Sequence, residues 1–395
     1  MLAAEKQVGV SPSAQGIPHS RIRELAEIAM RMDGVYKLYF GESNIPTPDF
    51  LKKAAQKAMD EGYTFYSSNA GLLSTREAVA RYYAQHHNVS LDPNTEIVVT
   101  ASGVHALNVG IRCMLDPGDE ALVMTPAWPN ASAIVSMFNA RPVELAQKLD
   151  GDRYTIDFDA LEAALTPRTR MLIYTSPSNP LGWVATEEEQ RRLLDFTRRH
   201  GLWLMADEVY ERLNYLNPNF EPTPSILRYA TREDAVVAVQ SFSKSYSMTG
   251  WRLGWLVARR DLAARATMLS EFIVSCPNAF VQKAGETALE DGEWFIRESV
   301  TQYKANRDLV SDALRTVKGL TLPKPDGAFY LFPKLDGLKD SFEYCKRVLL
   351  ETKVGLAPGV AFGAGGEGSV RICYAASRDV LEPALERLIP FLQRG

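Results

Sequence analysis

Seven short apolar runs, each five or six residues long, punctuate the chain at 96–100, 120–125, 141–145, 171–175, 202–206, 235–240 and 253–258. Helix-patterned stretches such as 186–200 fall between several of them. The runs are continuous rather than alternating, as strands covered on both faces are. Alternation of such strands with helices is the pattern of the α/β class. The expectation is a large domain built on a seven-stranded, mostly parallel, doubly wound sheet. Ligands of such sheets bind beyond the carboxyl ends of the strands, so residues just after each run carry most of the functional interest.

At 395 residues the chain is too long for a typical single core. Its pattern changes after about residue 289. A long polar helix at 293–317 is followed by the segment Gly327-Ala-Phe-Tyr-Leu-Phe332, a helix at 342–351, a Gly-rich loop at 358–368, a strand at 369–374 and a final helix at 380–392. This reads as a smaller α+β domain at 290–395. Residues 49–289 form the large domain. Residues 1–48 supply an arm and part of the small domain, irregular to about Pro18 and then helical from 21 to 32 behind a Ser20 cap. A helix at 50–61 closes on Gly62.

The bulk chemistry narrows the partners. Lys plus Arg number 44 and Asp plus Glu 48, a formal charge of −4, which gives no electrostatic case for nucleic acid or an anionic membrane. No apolar run approaches bilayer-spanning length, and the first twenty residues lack the apolar core of a secretion signal. Four scattered cysteines form no metal-ligand pattern and read as reduced thiols of a cytoplasmic protein. No metal site is expected.

Lys244 is the most unusual charge. It lies in Ser241-Phe-Ser-Lys-Ser between two core runs, with Arg252 eight residues on. A lysine there is either solvated on a surface turn or engaged by something that repays its burial. A Schiff base to pyridoxal 5'-phosphate is one such engagement, and Ser241, Ser243 and Arg252 then read as phosphate ligands. That cofactor also needs an anion cradle, a carboxylate at its ring nitrogen, donors to its ring oxygen and a stacking surface.

Each has a candidate. Ser102-Gly103-Val104 joins a strand to an apolar helix, which is either packing or a helix N-terminus open to an anion. Asp207 ends an apolar strand, either to cap a helix or to face a pyridinium. Tyr210 is three residues on, one turn if the chain coils there. Asn179 serves its turn or the ring oxygen. Trp128 is core or the stacking surface. Arg371, inside a predicted strand, points outward from a sheet edge or inward to a substrate carboxylate.

In order along the chain, Phe40-Gly41-Glu42, Tyr66, Gly71, Arg76, Ser102-Gly103, Trp128, Asn179-Pro180, Asp207-Glu-Val-Tyr210, Ser241-Phe-Ser-Lys244, Arg252, Gly327-Ala-Phe-Tyr330, Pro358-Gly359 and Arg371 resemble the class I and II pyridoxal-phosphate-dependent aminotransferases of fold type I, the aspartate aminotransferase superfamily. The likeness covers essentially the whole chain. It implies Lys244 as the cofactor-bearing, proton-carrying lysine and Asp207 at the pyridine nitrogen. Asn179 and Tyr210 would meet the ring oxygen and Trp128 the ring face. Ser102, Gly103, Val104, Ser241, Ser243 and Arg252 would hold the phosphate. Arg371, Asn179 and Gly41 would hold the substrate, an amino acid or its 2-oxo acid. Tyr66 would reach the phosphate of a partner subunit, implying a homodimer with shared active sites.

The sequence departs from the family's pattern at Leu181, which is read as local. Val104 stands where one acidic-substrate subgroup carries lysine. Glu271 aligns near an arginine that another subgroup uses for a distal carboxylate. Both changes remove positive charge, so neutral or basic amino donors are expected over acidic ones, with Glu271 either touching the substrate or capping a helix. Elimination, replacement or cyclisation on an amino acid uses the same constellation and stays open at this level. A cofactor-sensing regulatory domain is disfavoured, because the segment before Arg21 is too short for a DNA-binding module.

Overall fold

The computed structural model describes residues 9–17 and 19–394. All seven apolar runs form strands of one sheet: β1 (Ile97–Thr100), β2 (Glu120–Thr125), β3 (Arg141–Ala146), β4 (Thr169–Thr175), β5 (Trp203–Asp207), β6 (Val236–Ser241) and β7 (Gly254–Ala258). Their spatial order is β1-β7-β6-β5-β4-β2-β3. Every neighbouring pair is parallel except those of β7, which runs antiparallel to both β1 and β6. The reason lies in the connection from β6 to β7. It holds only a four-residue helix, Phe242–Ser245, and one 3-10 turn, Thr249–Trp251. Without a long crossover the chain turns straight back.

Alternate residues of each strand enter different cores, as a pleated strand requires. Val98, Val123, Ile173, Met205, Val237 and Leu256 pack with helix Gly103–Met114 on one face. Val99, Leu122, Leu172, Leu204, Ala238 and Trp255 face the larger core on the other. Two-sided burial explains why the runs read as continuous. β3 departs from this, being half-exposed along most of its length, whereas β1, at the other edge of the sheet, is fully buried.

The helices follow their sequence signals closely. Glu187–His200 opens with a full capping box between Thr186 and Glu189 and ends on Gly201 in the left-handed region. The helix α1 (Arg21–Ala29) is capped by Ser20 and stops three residues before the expected end, turning through Met30 toward Gly34 at φ 68°. In the arm, expected to be irregular, Pro12–Gln15 forms a short helix. Residues 1–8 and 18 of that expectation lie outside the described residues.

Beyond residue 290, β8 (Tyr330–Leu331), β9 (Ala357–Pro358) and β10 (Val370–Cys373) make a three-stranded antiparallel sheet in the order β8-β10-β9. The arm joins it. Tyr36–Lys37 pairs in parallel with Val354–Gly355, and the Cys373 amide donates to Leu38 O at 3.0 Å. Residues 36–42 are thereby held beside both β10 and the carboxyl edge of the large sheet.

Candidate active site

The register of the large sheet gathers its loop residues at one edge. Gly254 opens β7 opposite Thr100 of β1 and Ser241 of β6, and Asp207 ends β5 opposite Val239. The segments that follow β1, β5 and β6 therefore line one cavity of about 940 Å³, together with Phe40, Gly41, Trp128, Asn179 and Tyr330.

One end of this cavity is a cradle of donors. Ser102 takes φ 107°, rarely seen outside glycine, and caps the helix α2 (Gly103–Met114) by accepting from the His105 amide. The amides of Gly103 and Val104 lie in the first turn, where no intrahelical acceptor exists. The backbone is tightly packed here. A Cβ on Gly254 would lie 2.7 Å from Gly103 N, so glycine is needed for β7 to pass the cradle. Ser241 Oγ and Ser243 Oγ are 2.9 Å apart. Arg252, at φ 54°, anchors one nitrogen on Thr249 O at 2.6 Å and leaves its side chain exposed to the same cavity. A helix N-terminus, two hydroxyls and a guanidinium make a fit for a phosphate group.

Lys244 is not a solvated surface lysine. Its Nζ donates to Gly41 O at 2.6 Å and lies 5.8 Å from the Tyr210 ring centre. Burial lowers its pKa to about 8, against a partial opposing pull from Cys373. Asp207 is pushed the other way. Burial raises it to about 6, while the Val209 amide at 3.4 Å and the Lys244 charge pull it down. No helix follows Asp207. Residues 209–212 form turns, so this carboxyl caps nothing and faces the cavity. A buried carboxyl with one long hydrogen bond suits a cationic ring nitrogen.

A polar chain runs from the cavity into the small sheet. Tyr330 and Tyr210 share a hydroxyl contact of 2.7 Å, Asn179 Nδ2 is 3.5 Å from Tyr210 Oη, and Arg371 donates to Asn179 Oδ1 at 2.8 Å and to Tyr39 O at 2.5 Å. Arg371 lies on the central strand β10 and is fully buried. Its Nε has no partner among the described residues. An arginine buried in this way, with one N–H open, is built for an anion. Trp128 is half-buried on the cavity wall, its ring centre 5.7 Å from the Arg371 guanidinium and 6.4 Å from Phe362.

Two of the sequence-selected residues stand elsewhere in this chain. Tyr66 is 89% exposed. Glu271 ends the helix α3 (Arg260–Glu271) on the surface and accepts from Asn69 at 2.8 Å. They share one face, because Ser67 packs on Cys276 and Gln282, and Phe65, Phe272 and Ile273 are exposed beside them. Sequence reading also passed over side chains that the fold brings to the site. Tyr330 enters the sequence reading only as part of a motif, and Arg23 is not singled out in it. Neither has a local signal, because the first pairs across 120 residues with Tyr210 and the second reaches the cavity only through the path of the arm.

No group of three His, Cys, Asp or Glu side chains among the described residues is placed to hold a metal ion, and no described helix is long and apolar enough to cross a membrane. The family described as "Aminotransferase class I and II" matches residues 34–388. An aromatic-amino-acid aminotransferase 2 of Thermococcus litoralis is 34% identical over 384 residues, covering 96% of this chain and 97% of that one. An aspartate aminotransferase of Pyrococcus abyssi is 35% identical over 372 residues, covering 93% and 94%. The crystal structure of an aromatic aminotransferase from Pyrococcus horikoshii superposes with a TM-score of 0.86 at 34% identity, covering 94% of this chain and 99% of the other.

Proposed function

This chain belongs to the class I and II aminotransferases, and we propose that it moves an amino group between an L-amino acid with a neutral or basic side chain and a 2-oxo acid. Enzymes of this family use pyridoxal 5'-phosphate. The observation that carries the reading is the meeting, at one cavity, of an amine held below its ordinary pKa, a carboxyl held above its own and an anion cradle, with a buried arginine bonded to Asn179 of the cavity wall.

The residues fit that cofactor. Lys244 would hold it covalently, Ser102, Gly103, Val104, Ser241, Ser243 and Arg252 would take its phosphate, and Asp207 would face its ring nitrogen. Asn179 and Tyr210 would meet the ring oxygen, with Trp128 on the ring face. When bound, the cofactor supplies an electron sink that lets the Cα–H bond of an amino acid ionise. Asp207 would keep a proton on the ring nitrogen, because a buried carboxylate with one long hydrogen bond gains most from a positive partner. Arg371 orients the substrate through its α-carboxylate, with Asn179 and the Gly41 segment beside it. Lys244 Nζ carries the Cα proton. An amine whose pKa lies near 8 gives up and takes a proton at neutral pH far more readily than an ordinary lysine.

The donor preference is supported by the wall of the cavity, where Ile22, Phe40, Val104 and Leu107 are apolar, and by the absence of a cation at positions 104 and 271. The test is a donor screen with pyruvate and 2-oxoglutarate as acceptors, followed through the cofactor's absorbance. At least one neutral or basic amino acid is expected to exceed aspartate in kcat/KM by roughly tenfold, about 1.4 kcal/mol. Aspartate as the best donor would overturn the preference while leaving transamination intact.

We propose further that the working unit is a homodimer with shared sites, and that the arm and part of the small domain (1–48), the large domain (49–289) and the small domain (290–395) are its parts. The exposed face of Phe65, Tyr66, Phe272 and Ile273 supports this, since so contiguous an apolar patch is unusual on a monomer. Sedimentation is expected to give about twice the 43.9 kDa chain mass. If Tyr66 serves the neighbour's phosphate, mixing Lys244→Ala with Tyr66→Ala chains restores about a quarter of wild-type activity, because half the dimers are mixed and each holds one complete site. A monomer in sedimentation, or no gain on mixing, would sink this part.

A further inference from the structure

Lys244 stands between two cavities. One is the cavity of about 940 Å³ described above. The other, of about 360 Å³, adjoins it, and Glu42, Ser243, Lys244 and Thr249 line both. The transamination reading uses the first cavity and gives the second no task. The wall of the second is mostly polar, with Ser43, Asn44, Thr47 and Ser247 beside the shared residues. Asn44, Pro46 and Gly250 on this wall are exposed, so the cavity opens to solvent. Its size far exceeds the ~15 Å³ that one water needs, and its hydroxyls and amide are the partners that a water requires.

The wall is held in place although segment 42–47 forms no helix or strand. The Thr47 hydroxyl donates to Ser247 O at 2.5 Å and accepts from Trp251 Nε1 at 2.9 Å, which ties the two sides together. Glu42 is fixed where the cavities meet, its Oε2 accepting from the Thr249 hydroxyl at 3.2 Å. It is the one carboxylate among the described residues of the second cavity. Besides burial, which acts most, the groups that act on the Lys244 amine are Cys373 and Arg371 of β10, Glu42 and Arg252. Asp207 faces it from the cofactor cavity. The two arginines have no acceptor to offer a proton. Burial raises the Cys373 pKa and so keeps that thiol protonated. Asp207 is engaged with the ring nitrogen in the reading above. Glu42 is thus the acid in reach of the amine that also touches solvent.

An amine that has taken a Cα proton can deliver that same proton or trade it with solvent first. With substrate and cofactor on one side of Lys244, the trade needs a path on the other. We propose that the second cavity is this path, and that Glu42 receives the proton of Lys244 through water and the Thr249 hydroxyl and passes it to bulk solvent. The step is an exchange. An Nζ–H bond breaks, an O–H bond forms on the Glu42 carboxylate and breaks again to water, and a solvent proton returns to Nζ by the same route. No net charge moves. Glu42 is a relay that acts through Lys244, and its role rests on the transamination reading of the site.

The first readout uses the holoenzyme in D2O with the standard L-amino acids offered singly. Loss of the Cα proton from the recovered donor is followed by NMR beside formation of the 2-oxo acid. Glu42→Gln is expected to lower the ratio of exchange to product about tenfold, less than the roughly 10²-fold of a group in direct contact with the reacting atoms, with Glu42→Asp recovering part of it. The second readout needs no cofactor. Apo protein is acetylated with acetic anhydride across a pH series, and Lys244 is scored by peptide mapping. Wild type is expected to half-react near pH 8, where burial places the amine. Removing a nearby carboxylate disfavours the charged amine, so Glu42→Gln should move that midpoint down by about half a pH unit, the effect of a close pair being reduced by the exposure of Glu42. Exchange and product falling together would mean that Glu42 only shapes the wall, and an unmoved midpoint would mean that it does not act on the amine. Either outcome overturns the proposal. If no amino acid loses its Cα proton with wild type, the transamination reading fails, while the midpoint still decides whether Glu42 acts on Lys244.

Discussion

Lys244→Ala is expected to lower turnover by at least about 10²-fold, the usual contribution of a positioned acid–base group. The side chain is placed to act and costly to keep. Its amine is held on Gly41 O at 2.6 Å, beneath the Tyr210 ring, and burial brings its pKa down to about 8. The fold therefore disfavours the charged form. In the apo protein that cost is fully present below about pH 8 and is relieved as pH rises toward the ordinary lysine value. The alanine variant escapes it, so apo Lys244→Ala should melt no lower than wild type at pH 7 even though its activity collapses. Phosphate, ring nitrogen and ring face keep their partners, so the variant should still bind the cofactor. Borohydride reduction of the wild-type holoenzyme, followed by peptide mapping, should place the label on Lys244. A label on another lysine, or near-normal turnover in the variant, would remove Lys244 from its role.

How much of this was legible in the sequence depends on where each residue's partner lies. Strands β1 to β7 were readable because both faces of each, apart from the half-exposed β3, are covered by near neighbours in space, so that composition alone marks them. The direction of β7 was less legible. It follows from the shortness of the 242–253 connection, and direction leaves no mark on composition. Asp207, Lys244 and Arg371 stood out as charges inside apolar surroundings, and the structure keeps all three buried or half-buried. Asp207 was also open to a capping role, which the turns after it exclude. Tyr330, Tyr39 and Arg23 gave no such signal. Tyr39 contributes a backbone carbonyl, which every residue has, and the others depend on segments more than a hundred residues away. Tyr66 and Glu271 show the remaining limit, since their place in this chain is an exposed face and any site role they have lies across it.

Asp207→Asn should separate catalysis from stability in opposite directions. Asparagine keeps the shape and the hydrogen-bonding edge but carries no negative charge. Burial raises the Asp207 pKa to about 6, above its ordinary 3.8. A group shifted this way contributes stability that is fully present below its unfolded value and is lost as pH rises through about 6. At neutral pH the apo protein thus carries the cost of a desolvated carboxylate, on the order of 1–2 kcal/mol once its partial exposure to the cavity is allowed for. The asparagine variant does not carry it. Apo Asp207→Asn should therefore match wild type near pH 4 and become the more stable of the two between pH 5 and 8. With cofactor bound the order should reverse, because the carboxylate then has a cationic ring nitrogen to face and asparagine cannot balance that charge. Removing a group placed where charge is handled in the transition state costs about 10² to 10³ in rate, so turnover should fall by that factor with the cofactor still loaded. Melting curves of apo and holo protein at pH 4 and pH 8, beside single-turnover rates, read all three expectations. Wild-type turnover at normal loading would show that the charge of Asp207 serves the fold rather than the chemistry.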